Sequence, residues 1–531
     1  SGYKDGTLYS VLPNNAGGDF DVTRGSLATR VNKNGLIETV GYTVGGELVT
    51  NGDFETDTDW TKGTGWTIGS GVASCDGTQT ATTVLNQVGT YTMNKIYKIT
   101  YTVVSITAGS VDVRFQGGGA TVSGENRTTS GTYTDYLTST GNTGFRFRAN
   151  TDFVGSIDNV SVIEFAGDDI PRLDYTDGGC PVLLTEPQST NLVVQSNDFN
   201  SSSWIKGSSS VVGGFVSPDG SSNAFKLVED TSNGTHNTRI NNVFTADGIT
   251  RDFSIFVKEG DRRYVYITNV STVNNDINCV VFDTRDGVFT NTNDPTLILS
   301  RDVQALQNGW YRIDFTSDTN STSYDNFYIG VSSSETMSGA SYIGDGTSGI
   351  YIFGAQIEAL SYASSYIPTS GGTATRLGEV VSGAGNASTF NDSEGVLFFE
   401  GSALDWKVSA DNQVSLSDGS GNNRIMVYAY SETQLGLRFN AQGTQLVTQA
   451  ITVSSLSVNS KVAIRWGNGN YSIYQNGSSI YTQAIASNPI GLSKLNFSSV
   501  TETSPFYGKT SQVQVFKTAL TDFELQQLTT I

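Results

Sequence analysis

One histidine, three cysteines, three methionines and nine prolines are all that 531 residues contain, and each scarcity removes a kind of chemistry. The single histidine, His236 in "NGTHNTR", has no serine or cysteine motif beside it, so nucleophilic triads and histidine-based zinc sites have little to build on. It reads as a solvated histidine in a polar loop. Cys75, Cys180 and Cys279 are odd in number and far apart, which leaves no disulfide framework and no zinc spacing; they read as small apolar fillers. Basic residues are also few. The 31 Lys and Arg face 51 Asp and Glu, a net charge of −20, and form no clustered stretch that could neutralise a phosphate backbone, so no nucleic-acid partner is expected. No apolar run approaches the ~20 residues of a membrane span, and membrane insertion is not expected. The chain opens on Ser1 with no visible signal peptide and no Met, so a missing or processed N-terminal portion is expected.

What is abundant is Gly, Ser, Thr, Asn and Asp, punctuating short runs rich in β-branched and aromatic residues. Examples are "YKITYTVVSI" (97 to 106), "RRYVYIT" (262 to 268), "GIYIFGAQIE" (349 to 358) and "SQVQVFK" (511 to 517). That is the pattern of β-sandwiches. At about 150 residues per domain the length predicts three or four of them. Only the terminal "TALTDFELQQLT" changes to helical spacing: Thr521 and Glu524 form a capping box, with Leu520 and Leu525 as a hydrophobic staple. "KVAIRWGNGNYSIYQNGSSIY" (461 to 481) reads as consecutive hairpins.

The stretch "LVTNGDF" (48 to 54) returns as "LVVQSNDF" (192 to 199), about one domain length later, which suggests copied modules. Five blocks follow. Residues 1–46 form an N-terminal anchor or extended segment, too short to bury a core without a partner surface. Residues 47–166 form a first sandwich, 167–190 a Pro-punctuated connector, 191–374 a second sandwich and 375–531 a third.

The pairing of "LVTNGDFE" with "SIDNVSVIE" at the two ends of block 47–166 resembles jelly rolls of the carbohydrate-binding-module type, and block 191–374 resembles a diverged copy, with Asp198, Phe199 and Trp204 standing where Asp53, Phe54 and Trp60 stand. "YGKTSQVQVFKTALTDFELQQL" is similar to the end of concanavalin A-like, laminin-G-like sandwiches. The strings "ATRVNKNGLIETV", "PRLDYTDGGCPVLLTEPQSTNL" and "GDGTSGIYIFGAQIEALSYASSYIPTSGGTATR" together resemble virion structural proteins of tailed bacteriophages, of the head- or tail-fibre kind. In such relatives the first two strings can follow each other directly, which implies that block 47–166 is an insertion. The fold class implied is all-β: two jelly rolls and a concanavalin A-like sandwich in tandem, with a short C-terminal helix.

Glycosidases need two carboxylates facing a sugar, and the strand pattern Glu-x-Asp-x-x-Glu is absent. "ETDTDW" (55 to 60) lies in a turn-rich segment, so no enzyme is expected. Calcium fits better, since it takes oxygen ligands alone. The jelly-roll resemblance implies Glu55, after the first strand, and Asp158, in the last, as holders of a structural Ca2+; Asn200 and Gly354 replace them in the second jelly roll. Sugar binding needs an aromatic platform. Trp60, Trp66, Trp204, Trp310 and Trp466 sit where rings fill cores. The surface candidates are tyrosines two apart on one strand face, Tyr264 with Tyr266 and Tyr428 with Tyr430, with packing between sheets as the competing reading.

These features predict a non-enzymatic virion-surface appendage whose sandwiches bind host-surface glycans weakly and multivalently. The expected partners are other virion proteins of capsid or tail and further copies of itself in a homo-oligomer. A structural decoration or adaptor and a polysaccharide-degrading enzyme are the alternatives.

Overall fold

Period-two alternation decides the local structure. In the strand Ile96–Ala108, Tyr97, Ile99, Tyr101 and Val103 are buried and the residues between them are more open, as a half-buried strand requires. The computed structural model describes the chain except residues 1–2, 5–6, 9–18, 90, 117–121, 141–143, 245–247, 272–276, 294–297, 319–323 and 405–411. It is all-β, as the sequence predicts, with one short C-terminal α-helix.

The first sandwich uses β1 (Thr61–Lys62), β2 (Trp66–Gly69), β3 (Val72–Asp76), β4 (Thr83–Gln87), β5 (Ile96–Ala108), β6 (Val111–Gln116), β7 (Val122–Ser123), β8 (Gly131–Thr138), β9 (Gly144–Ala149) and β10 (Val154–Ala166). Its two sheets run β1-β4-β9-β6-β7 and β2-β3-β10-β5-β8. The second uses β11 (Ile205–Gly207), β12 (Ser209–Phe215), β13 (Ala224–Glu229), β14 (Asn237–Ile240), β15 (Thr250–Lys258), β16 (Tyr264–Ser271), β17 (Ile277–Asp283), β18 (Trp310–Asp318), β19 (Tyr324–Ser332) and β20 (Gly349–Glu358). Its sheets run β11-β14-β19-β16-β17 and β12-β13-β20-β15-β18, extended at the β17 and β18 edges by Val288–Asn293 and Ile298–Ala305. The two strand orders are the same order.

The repeated stretch is the start of each copy. Phe54 packs on Trp60 and Phe199 on Trp204, with ring centres 5.3 and 4.7 Å apart. Each indole N–H donates to a carbonyl nine residues earlier, Trp60 to Asn51 and Trp204 to Gln195. An apolar pair pins the segment under the sandwich while the buried N–H finds its acceptor, so both the ring and the donor are satisfied.

The chain divides into two compact units, one of residues Ser1–Lys33, Asp168–Ser189 and Arg376–Ile531, the other of Asn34–Gly167 and Thr190–Thr375. The ends of blocks 47–166, 191–374 and 375–531 agree with this division within two residues, but residues 1–33 and 168–189 group with the C-terminal sandwich and 34–46 with the jelly rolls, so 1–46 is not one separate segment and 167–190 is not merely a connector. The C-terminal sandwich has β21 (Val380–Ala384), β22 (Gly395–Ala403), β23 (Gln413–Ser417), β24 (Arg424–Ser431), β25 (Gln434–Ala441), β26 (Thr444–Thr452), β27 (Ser460–Gly467), β28 (Asn470–Gln475), β29 (Ser478–Ala484), β30 (Lys494–Phe497) and β31 (Gly508–Phe516). Phe20–Thr23 pairs with β21 in one sheet, and Val182–Thr185 pairs with β31 in the other, where Arg172–Asp174 continues the sheet beyond it. Both jelly rolls are thus inserted into a sandwich assembled from three chain segments.

Five buried charges hold those segments together. Arg172 donates to Glu379 from Nε and Nη2, both at 2.5 Å, and to Glu186 from Nη1 at 2.6 Å. Arg24 reaches Glu379 at 2.9 Å, and Arg376 reaches Glu186 at 2.8 Å. Burial works against the Arg172 charge, but the two carboxylates hold its pKa above the ordinary value. For Arg24 burial prevails and the pKa falls, the like charge of Arg172 adding to the effect. The segments come from three separate parts of the sequence, so no local periodicity marks this cluster.

The C-terminal hairpins turn at Asn468-Gly469 and Asn476-Gly477, all four at positive φ, which selects Asn and Gly. Helix α1 (Asp522–Thr529) carries the predicted capping box, and Leu525 is buried with Leu520 against it.

Candidate functional site: an aromatic and basic face on the C-terminal sandwich

In β24 the apolar Ile425, Val427 and Ala429 point to the core, so Arg424, Met426, Tyr428 and Tyr430 line the opposite face. Register places Asn440, Arg438 and Gly436 of β25 across from Arg424, Met426 and Tyr428, and Ser417, Ser415 and Gln413 of β23 on the other side. On β26 the partners of Asn440, Arg438 and Gly436 are Gln445, Thr448 and Ala450. No position of this lattice is acidic.

Tyr428 lies across Gly436. A Cβ placed on that glycine would be 2.2 Å from the tyrosine ring, so only glycine lets the ring lie down on the sheet. Tyr428 is half-buried, Tyr430 is 52% exposed, and their rings meet edge to face at 6.5 Å. The Arg438 guanidinium stands 5.5 Å from the Tyr428 ring centre.

The other tyrosine pair uses the same device with the opposite outcome. Tyr266 of β16 lies over Gly330 of β19, again 2.2 Å from a notional Cβ, yet it is only 2% exposed. It packs with Cys279, Val281 and Ala340, and Met337 and Tyr264 join the same cluster. The short 3-10 turn Met337–Ala340 contributes two of these side chains. Tyr264 and Tyr266 therefore do not form a sugar platform, because the outer face of that sheet has become a small core. Period two gives which residues share a face; a distant turn decides whether the face is covered.

His236 also differs from its sequence reading. It is fully buried, its Nδ1 2.6 Å from the Ser208 carbonyl and its Nε2 3.1 Å from the Tyr342 carbonyl, with its ring on Tyr342. It spans neighbouring strands and is not a solvated loop residue. Cys75 and Cys279 are buried fillers as expected, but Cys180 is exposed. Trp60, Trp66, Trp204, Trp310 and Trp466 are all buried.

Glu55 is exposed beside Gly71, while the carboxylate of Asp158 accepts from the backbone and side chain of Asn159. Among the described residues no three His, Cys, Asp or Glu side chains converge as a metal site. A calcium ion at this pair would have to take most of its six to eight oxygens from backbone and water.

Two buried acid clusters lie in the jelly-roll unit. Asp252, Asp314 and Glu358 are buried together, with burial the main cause that raises Asp252 well above and Asp314 to about 7. The Ser364 backbone and hydroxyl donate to Glu358, which closes the cluster from above. Arg127 pairs with Glu125 at 2.6 Å and with Asp135 at 2.7 Å, and burial pushes Glu125 up to about 7. Neither cluster is an open groove of the kind a polysaccharide needs.

No family model matches the chain, and no curated protein matches it. Among solved structures the chain is similar to the IT-sialidase CBM40 of Ruminococcus gnavus bound to alpha2,3 sialyllactose, at 19% identity over 28% of this chain and 87% of that one, with a TM-score of 0.24. It is also similar to domain 4 of AbnA, a GH43 extracellular arabinanase from Geobacillus stearothermophilus, in complex with arabinotriose (13% identity, 32% and 80% covered, TM-score 0.24). A third is the N-terminal CBM22-1-CBM22-2 tandem domain of Paenibacillus barcinonensis Xyn10C (14% identity, 60% and 99% covered, TM-score 0.20). No residue role is carried over from them.

The sequence reading singled out Tyr428 and Tyr430 and missed Arg424, Arg438 and Asn440. Alternation in "RIMVYAY" puts Arg424 on the tyrosine face, a signal that was available. Arg438 and Asn440 join the face only through the β24 to β25 register, which depends on the hairpin between them.

Proposed function

We propose that the chain is a non-enzymatic glycan-binding appendage protein of a tailed-bacteriophage virion, with its sugar platform on the outer face of β23 to β26. One observation carries the binding part: Tyr428 lies flat over Gly436 beside the exposed Tyr430. A flat ring backed by the sheet offers its outer side to the apolar face of a pyranose, and the exposed Thr448, across from Arg438 on β26, supplies a hydroxyl partner. Such a shallow face binds weakly, and several copies in a homo-oligomer at the virion surface raise the avidity. The virion setting rests on the resemblance of the sequence strings and implies capsid or tail proteins as neighbours. The non-catalytic reading is supported by the acid-free lattice around Tyr428, since glycoside hydrolysis needs two carboxylates about 5 to 9.5 Å apart.

A glycan array with the full chain and Tyr428→Ala tests the platform. Loss of one stacking ring weakens binding about tenfold or more, by analogy with other aromatic contacts of about 1–3 kcal/mol. Equal binding by both chains refutes the site. Mass spectrometry of purified particles tests the setting: absence of the chain from virions removes it. A purely structural decoration is the second reading, favoured by the covered Tyr266, and it predicts no array signal from either chain.

A further inference from the structure

We propose that the face around Tyr428 takes an acidic saccharide, with Arg424 and Arg438 holding its carboxylate; this rests on the glycan reading above and names its ligand class. The chain has 51 acidic residues against 31 basic ones, and ten of its arginines pair with a carboxylate. The buried Arg24, Arg172 and Arg376 all have carboxylate partners. Arg424 and Arg438 have none among the described residues. The Nε of each is buried and makes no hydrogen bond. The neighbouring Lys494 is already paired with Glu502.

The two guanidiniums are diagonal neighbours on adjacent strands, since Arg424 faces Asn440 while Arg438 faces Met426. Burial depresses the Arg424 pKa, and the like charge of Arg438 depresses it further. Keeping two desolvated cations side by side costs stability, and a chain optimised only for folding would place an acid or an apolar residue there. With each Nε buried, an incoming carboxylate would accept from the Nη–H groups at the ends of the two guanidiniums, one oxygen to each. Asn440 supplies an independent sign. It is 9% exposed, its Nδ2 donates to the Gly421 carbonyl, and its Oδ1 has no donor. That oxygen is itself buried, so a donor reaches it only if the side chains over it move aside. Met426 lies between the arginines and Tyr428 on the same face and is buried, so the centre of the face is covered and the open part is its tyrosine edge.

Carboxylate and sulfate esters share this chemistry, so the test uses both. Affinity electrophoresis compares polygalacturonate, dextran and dextran sulfate against the full chain, Arg424→Gln, Arg438→Gln and Tyr428→Ala. The expected result is retardation by polygalacturonate about tenfold stronger than by dextran. Either arginine variant lowers this to the dextran level without changing dextran binding, whereas Tyr428→Ala weakens both. Thermal unfolding checks that the arginine variants fold; they are expected to be no less stable than the parent. Arg146→Gln is the charge control, because Arg146 on β9 also has a buried, unbonded Nε but lies on the first jelly roll. If Arg146→Gln loses as much as the arginine variants, or dextran sulfate alone is bound, the carboxylate site is overturned. Equal affinity for dextran and polygalacturonate overturns it too while leaving the glycan reading standing. Failure to bind any of the three polymers overturns both.

Discussion

The buried cluster that joins the three segments of the C-terminal sandwich predicts an order of mutational damage that is the reverse of a bond count. Arg172 makes the most contacts, three of them to carboxylate oxygens at 2.5 to 2.6 Å. Arg172→Met nevertheless leaves a neutral set: Arg24 with Glu379 and Arg376 with Glu186. Glu379→Gln removes a carboxylate that serves both Arg24 and Arg172 and leaves Glu186 facing a surplus of positive charge from Arg172 and Arg376. Removing one partner of a buried pair costs about 3–5 kcal/mol because the other charge is stranded, while a balanced replacement costs much less. Arg172→Met is therefore expected near the bottom of that range and Glu379→Gln at or above its top. Urea unfolding, followed by calorimetry to resolve the two units, measures both. Because the site is dry, about 0.5 M salt should change neither value by much. Arg172→Met proving the more harmful of the two, or both costing under about 1 kcal/mol, refutes the view that stranded charge sets the energy here.

Glu125 gives a pH test. Burial raises its pKa to about 7, so the folded state holds a proton that the unfolded chain releases above about 4.5, and stability of the jelly-roll unit falls as pH rises through that window. Glu125 accounts for at most about 3 kcal/mol of the fall, the raised Asp314 and Asp252 adding to it, so Glu125→Gln makes the profile shallower, and an unchanged slope from pH 5 to about 7.5 in that variant contradicts the assignment. Gly436→Val should lift the Tyr428 ring and reduce glycan retardation about as much as Tyr428→Ala does, which the same gels report; unchanged retardation rejects the flat-ring platform. Thr521→Ala removes the α1 cap and should cost about 1 kcal/mol in urea unfolding. We also propose a calcium test for the first jelly roll: chelation lowers its melting temperature if Glu55 and Asp158 hold an ion, and an identical curve for Glu55→Gln with Asp158→Asn argues that they do not.

How far the molecule could be read from its sequence varied with the range of the forces involved. The repeat at 48 to 54 and 192 to 199 was legible as a domain copy because both copies retain the same aromatic pair and the same short loop. The terminal helix and the Asn-Gly hairpins were legible because caps and turns are settled within a few residues. His236 was misread because a polar loop in sequence became the inside of a strand pair. The sandwich ends were legible to within two residues, but the grouping of residues 1–33 and 168–189 with the C-terminal sandwich was not, because their short strands carry little pattern of their own and their partners lie hundreds of residues away.

By itself the sequence determined the fold class, the duplication and the strand faces, since these follow from residue type and period. Tertiary structure alone decided which faces stay open. Tyr266 and Tyr428 occupy equivalent settings, each over a glycine on the next strand, and packing by residues from a remote turn buries the first while the second stays half-buried. It also decided which charges meet. Arg172 finds two carboxylates while Arg424 and Arg438 find none among the described residues, because pairing depends on how distant segments dock rather than on spacing along the chain.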